Sequence, residues 1–204
     1  FASHTKARVE FFSEDDIVPS WDNARIRGTH NRGNLAAAMP VLANFGLSRA
    51  EIRQSVESFR GLPYRQQVVR EADGILYIND TTSTSPDAAI AALNTCPPPL
   101  VWIAGGADKG LSFSNLAAAV HRLKDAIKAI ILLPGQGTDA LQPLLPRDKT
   151  HTVQTMQEAV SLAKNNPKSK DGGMAPVYGL ASTMPLRGTV SHLLKKYMDA
   201  LYKV

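Results

Sequence analysis

From residue 61 onward, short apolar runs alternate with segments of helical periodicity, and that alternation leaves few folds open. Residues 67–70 and 76–79, Leu100-Val-Trp-Ile-Ala104, Ala129-Ile-Ile-Leu-Leu133, residues 151–153 and residues 175–180 read as strands. Between them, residues 88–93, 115–123, 139–145 and 155–164 read as helices, and 190–202 as a last amphipathic one. Repeated βα units require a mostly parallel sheet with helices over it. The expected fold class is therefore α/β.

The chain before residue 61 follows a different rule. Residues 7–12 alternate weakly and predict a strand, and 13–21 a loop. Leu35, Ala38, Met39, Leu42 and Phe45 then recur at helical spacing, with Gly46 as the stop. Pro40 lies inside that stripe and is expected to kink the helix or break its regular bonding. Ser48 with Glu51 forms a capping box, and Ile52, Val56 and Phe59 fall on one face of a second helix. Gly61-Leu-Pro-Tyr-Arg65 ends this regime, so two domains are expected, 1–60 and 61–204.

Composition narrows the function classes. A chain of 204 residues, 44% hydrophobic, buries one good core, or one core and a smaller piece. No run approaches the roughly 20 apolar residues of a membrane span. A net charge of +5 raises the question of nucleic acid. The basic residues are scattered, however, the aromatic fraction is 6%, and no nucleic-acid motif is present. Anionic small substrates or a plain solvated surface account for the bias. Cys96 is the sole cysteine, which excludes an intrachain disulfide and a cysteine zinc site and fits a reducing compartment. His4, His30, His121, His151 and His192 show no metal spacing. The first five residues lack a Met and an h-region, so the chain is expected to begin within a longer protein.

Chemistry is expected in the loops at element ends. The stretch Gly74-Ile-Leu-Tyr-Ile-Asn-Asp-Thr-Thr-Ser-Thr-Ser-Pro86 releases hydroxyls and the Asp80 carboxylate just where a strand ends. Ser85 is placed to cap the next helix, with Pro86 at its first position and Asp87 against its positive end. Asp80 is read as a ribose or metal-water ligand, or as the cap of the next turn. Asn31 and Asn34 open an upstream helix, where amides can read a purine edge or simply cap. Arg65 on the connector offers a guanidinium for a phosphate or a base, or is a surface residue. Lys109, in Gly105-Gly-Ala-Asp-Lys-Gly110, is a point charge for an anion or an exposed turn residue. Gly135-Gln-Gly-Thr138 reads as a turn. No P-loop occurs, and no strand leads into Gly-x-Gly-x-x-Gly with an acid about 20 residues on, which disfavours a dinucleotide binder.

Four of these segments together are far more specific than any alone. Gly28-Thr-His-Asn-Arg-Gly-Asn34, Phe59-Arg-Gly-Leu-Pro-Tyr-Arg65, Tyr77-Ile-Asn-Asp-Thr-Thr-Ser-Thr84 and Gly105-Gly-Ala-Asp-Lys109, in this order, resemble the Mur ligases, and within them the D-glutamate-adding branch. The resemblance covers residues 25–165 well and the last forty poorly. It implies a Rossmann-like C-terminal domain at 61–204, preceded by a mainly helical remnant of a central ATPase domain at 1–60. It implies that Asn31 and Asn34 lie near adenine, and that Arg65 and Asp80 contact the nucleotide from across a domain cleft. Thr84 and Lys109 would hold the D-glutamate carboxylates, with Ser182 as a further counterpart.

The implied reaction uses ATP and Mg²⁺ to convert the carboxylate of UDP-N-acetylmuramoyl-L-alanine to an acyl phosphate, which the amine of D-glutamate attacks. A cytoplasmic, monomeric enzyme of peptidoglycan synthesis is implied, without nucleic-acid or membrane partners. The P-loop and the carbamoylated lysine of the family would lie upstream, so this chain alone is expected to be inactive. Thr82 stands where several members carry a lysine, and residues 180–188 are shorter than the family pattern. The competing expectation is a non-catalytic nucleotide- and ligand-binding module of the same fold.

Overall fold

The computed structural model describes residues 6–16, 28–72, 75–165 and 175–179, with backbone alone for 175–179 and for residue 14. The chain divides into two compact units, Phe1–Gly61 and Leu62–Val204. Among the described residues, no helix is long and apolar enough to cross a membrane.

In the first unit, α1 (Thr29–Asn44) and α2 (Arg49–Ser58) form the expected helical pair. The helix runs on through Pro40, where the regular bonding is interrupted as expected: proline forfeits one bond, to the Ala36 carbonyl, and the flanking turns keep theirs. The stop at Gly46 is a Schellman motif. Gly46, at φ +89°, donates to the Ala43 carbonyl at 2.9 Å, and Leu47 donates to the Leu42 carbonyl at 3.2 Å. Ser48 opens α2 with both halves of the capping box. Ala36, Ile52 and Val56 form the small core of this unit, with Leu35, Met39, Leu42 and Leu47 packed on it. Phe59, expected on the same face, is the C-terminal cap and is exposed.

The strand expected at 7–12 does not form. These residues carry no sheet pairing, and a 3-10 turn, Glu14–Asp16, follows them. Weak alternation makes a strand only where a partner edge exists to take its hydrogen bonds. Here Phe11 and Phe12 instead line a groove with Ala36, Met39 and Ala43 of α1.

The second unit is the α/β sheet. Its strands are β1 (Gln67–Ala72), β2 (Ile75–Asn79), β3 (Leu100–Ala104), β4 (Ile127–Leu132), β5 (Thr150–Thr152) and β6 (Ala175–Gly179), ordered β1-β2-β6-β3-β4-β5. β1 pairs antiparallel to β2 at one edge, and every other pairing is parallel. Its helices are α3 (Pro86–Thr95), α4 (Ser114–Arg122), α5 (Gln136–Leu141) and α6 (Met156–Asn165). The path from β2 to β5 advances across the sheet, and β6 returns to lie between β2 and β3. Right-handed crossovers then put α3, α4 and α5 on one face and α6 on the other.

The core obeys that division. Ile78, Leu100, Trp102, Ala104, Ile130 and Leu132 face Ala89, Ala92 and Leu93 of α3, Leu116 and Val120 of α4, and Leu141 of α5. The alternate residues Ile75, Tyr77, Val101, Ile103, Ala129 and Ile131 face Met156, Ala159, Val160 and Ala163 of α6. Period-two alternation inside uniformly apolar strands thus feeds two cores. Each fully buried Ile or Leu contributes about 1.5–3 kcal/mol. The spacer expected at 168–173 and the helix expected at 190–202 lie outside the described residues.

Candidate functional site

Because β2, β3 and β4 run parallel, their following loops emerge at the same edge of the sheet. The loop after β2 is held by its own side chains. Asn79, fully buried, accepts from the Thr81 amide at 3.1 Å and from the Thr81 hydroxyl at 2.8 Å. Ser83 donates its amide to the Asp80 carbonyl at 2.9 Å and its hydroxyl to the Asp80 carboxylate. Ser85 then caps α3 by accepting from the Ala88 amide, with Pro86 in the first helical turn. A polar stretch this buried survives only because its groups find partners.

The same loop grips the connector that precedes β1. Asp80 Oδ1 accepts from the Gln66 amide at 2.9 Å. Thr82 donates both its amide, at 3.2 Å, and its hydroxyl, at 2.8 Å, to the Tyr64 carbonyl. Tyr64 and Gln66 both have left-handed backbones, at φ +66° and +43°. For non-glycine residues that conformation costs on the order of 1–2 kcal/mol each. Arg65 sits between them with its side chain exposed, and it makes no ion pair with a described residue. Nothing local announced these two conformations, since neither position holds glycine or asparagine.

The loops after β3 and β4 are locked backbone to backbone. Leu133 donates to the Ala104 carbonyl at 2.8 Å, and Gly137 to the Gly106 carbonyl at 2.9 Å. A Cβ on Gly135 would lie 2.2 Å from the Gly106 carbonyl oxygen, and one on Gly105 2.7 Å from Leu133. The glycines therefore serve close approach, which the reading of 135–138 as a turn missed. With Thr84, Ser85, Phe113, Leu116 and Leu141 these loops line a narrow cleft of about 20 Å³.

No family model matches the chain. Individual relatives do. The UDP-N-acetylmuramoylalanine--D-glutamate ligase of Roseiflexus sp. is 45% identical over 129 residues, covering 63% of this chain and 27% of that protein. The enzyme of the same name from Desulfitobacterium hafniense is 36% identical over 186 residues, 79% of this chain and 40% of that protein. Among solved structures, a MurF ligase from Thermotoga maritima in complex with ADP superposes with a TM-score of 0.62 at 19% identity, over 87% of this chain and 40% of that one. The chain belongs to the Mur ligase family.

A folylpolyglutamate synthase from Mycobacterium tuberculosis shares the fold at TM-score 0.62 and 16% identity, over 87% of this chain and 40% of that one. The present Mur ligase chain spans between a quarter and two fifths of the length of the Roseiflexus and Desulfitobacterium relatives.

Within this Mur ligase chain the expected site residues fall into separate sets. Asn31 and Asn34 occupy the first turns of α1, where Asn34 Nδ2 donates to Asn31 Oδ1 at 3.3 Å. Arg65 and Asp80 are brought together by the connector. Thr84 lines the cleft, and Lys109 lies two residues beyond its lining, exposed and in no ion pair with a described residue. Ser182 lies outside the described residues. Among the described residues, no three His, Cys, Asp or Glu side chains are grouped to hold a metal.

Proposed function

We propose that this chain is part of an ATP-dependent amide-forming ligase that joins D-glutamate to UDP-N-acetylmuramoyl-L-alanine in peptidoglycan synthesis. The relatives at 36–45% identity carry that name, and they support the reading. The observation that carries it is the pair of exposed cations, Arg65 and Lys109, on loops at the sheet, neither in an ion pair with a described residue. A planar guanidinium on a fixed loop suits a nucleotide phosphate, and a mobile ammonium suits a carboxylate.

Arg65 is assigned to the nucleotide, and Asp80 to the same function. Asn31 and Asn34 are assigned to the purine, since paired amides offer both a donor and an acceptor. Thr84 and Lys109 are assigned to the amino-acid substrate, with Ser182 as a third contact. ATP supplies the phosphoryl group that activates the carboxylate. Mg²⁺ would accompany the phosphates of ATP, and the roles assigned here to side chains do not include holding it. What this chain contributes is charge and orientation, which lower a barrier by holding reactants in line.

The test is phosphate release by the full-length protein. Release that requires both UDP-N-acetylmuramoyl-L-alanine and D-glutamate supports the ligase. Nucleotide binding without that dual requirement sinks it in favour of a non-catalytic binding module.

A further inference from the structure

We infer that Ser83 is a positioning residue that acts through Asp80, a reading that rests on the nucleotide role proposed for Asp80. Asp80 is only 2% exposed, so its carboxylate serves a ligand only when it is held in one orientation. Donors reach it from two sides. The Gln66 amide, on the connector before β1, donates to Oδ1 at 2.9 Å, and the Ser83 hydroxyl donates to Oδ2. Ser83 is itself fixed, because it is 7% exposed and its amide donates to the Asp80 carbonyl at 2.9 Å. Its hydroxyl proton is thus committed to Asp80.

A carboxylate turns readily about its last single bond. Donors on both oxygens stop that rotation. A carboxylate offers about four acceptor sites, so two such bonds orient it without by themselves excluding a ligand hydroxyl. They also favour the ionised form, the one that accepts from a nucleotide. A group set in advance spends less freedom on binding than a loose one. Thr84, the next residue, lines the cleft and is assigned to the amino-acid substrate. A loosened loop disturbs both substrates, whereas losing the hold on Asp80 disturbs the nucleotide alone.

The experiment reads the apparent KM for ATP and for D-glutamate in the full-length protein, beside calorimetric titration with ADP, which needs no turnover. Ser83→Ala should raise the KM for ATP and the Kd for ADP about three- to tenfold, as for one lost hydrogen bond to a charged group. The KM for D-glutamate should rise by less than about twofold. A matched rise in both KM values would overturn the inference and make Ser83 a support of the whole loop. Ser83→Cys, of nearly the same shape but a weak donor, should fall between Ala and wild type. A Cys variant equal to wild type would show that Ser83 supplies packing and not a hydrogen bond.

In the Asp80→Ala background, adding Ser83→Ala should change ADP affinity by less than about twofold, because nothing is left to position. Effects that multiply would overturn the inference. Should Asp80→Ala fail to fold, the KM split and the Cys variant decide alone. Weaker ADP binding in Asp80→Ala but not in Ser83→Ala would sink the role of Ser83 and leave that of Asp80. No change in Asp80→Ala would remove both.

Discussion

The amide of Gly137 donates to the carbonyl of Gly106 at 2.9 Å, and this bond ties the loop after β4 to the loop after β3. The neighbouring Gly135 comes closer still. There is no room for a side chain between them, so this edge of the sheet is built on bare backbone.

Gly135→Ala should therefore cost about 3 kcal/mol or more, because the atoms it meets are main chain and cannot swing aside. Gly110, at φ +71° but with open space around it, is the control, and its replacement by Ala should cost about 1–2 kcal/mol. Urea unfolding of the two variants compares them. Equal losses would show that left-handed strain, and not the close approach, is what the glycine provides.

Lys109→Ala in the full-length protein should raise the apparent KM for D-glutamate about tenfold or more, as for a lost charge-assisted bond, and that for ATP far less. Steady-state kinetics with each substrate varied in turn decides it. A matched rise in both would place Lys109 away from the amino acid.

Trp102 is fully buried, and its indole N–H finds no hydrogen-bond partner among the described residues. Truncation to Ala should cost about 3–5 kcal/mol through the cavity it opens. Trp102→Phe should cost less than half as much, since losing an unpaired buried donor offsets part of the lost volume. A Phe variant as unstable as the Ala variant would show that the N–H is satisfied in solution.

The Ser48 hydroxyl, and next to it the Ser48 amide, hold the Glu51 carboxyl below its ordinary value of 4.5. A lowered folded-state pKa means that the cap's contribution is present above 4.5 and is lost as pH falls through the lowered value. Chemical unfolding between pH 3 and pH 6 should show this slope in the wild type and a shallower one in Glu51→Gln. Parallel profiles would remove Glu51 from the acid sensitivity. Ser48→Ala should cost about 1 kcal/mol at neutral pH.

Much of this was visible in the residues themselves. Leu100 to Ala104 formed the strand that its uninterrupted apolar run announced, and Ser48 and Ser85 begin helices as their hydroxyls foretold. Capping and periodicity act within one turn of chain, so a local reading finds them. Residues 7–12 misled because alternation says nothing of whether a neighbouring edge exists. Arg65 was legible as a cation on a connector; the hydrogen bond from the neighbouring Gln66 amide to Asp80, 14 residues further on, was not.

The order of apolar runs, hydroxyls and glycines determined that residues 62–165 would alternate strand and helix, and which residues would end each element. Only tertiary structure decided that β6 returns to the middle of the sheet, that β1 runs antiparallel at its edge, and that Gly106 meets Gly135. Those outcomes depend on pairing between distant segments, whose gain appears only once the chain has closed on itself.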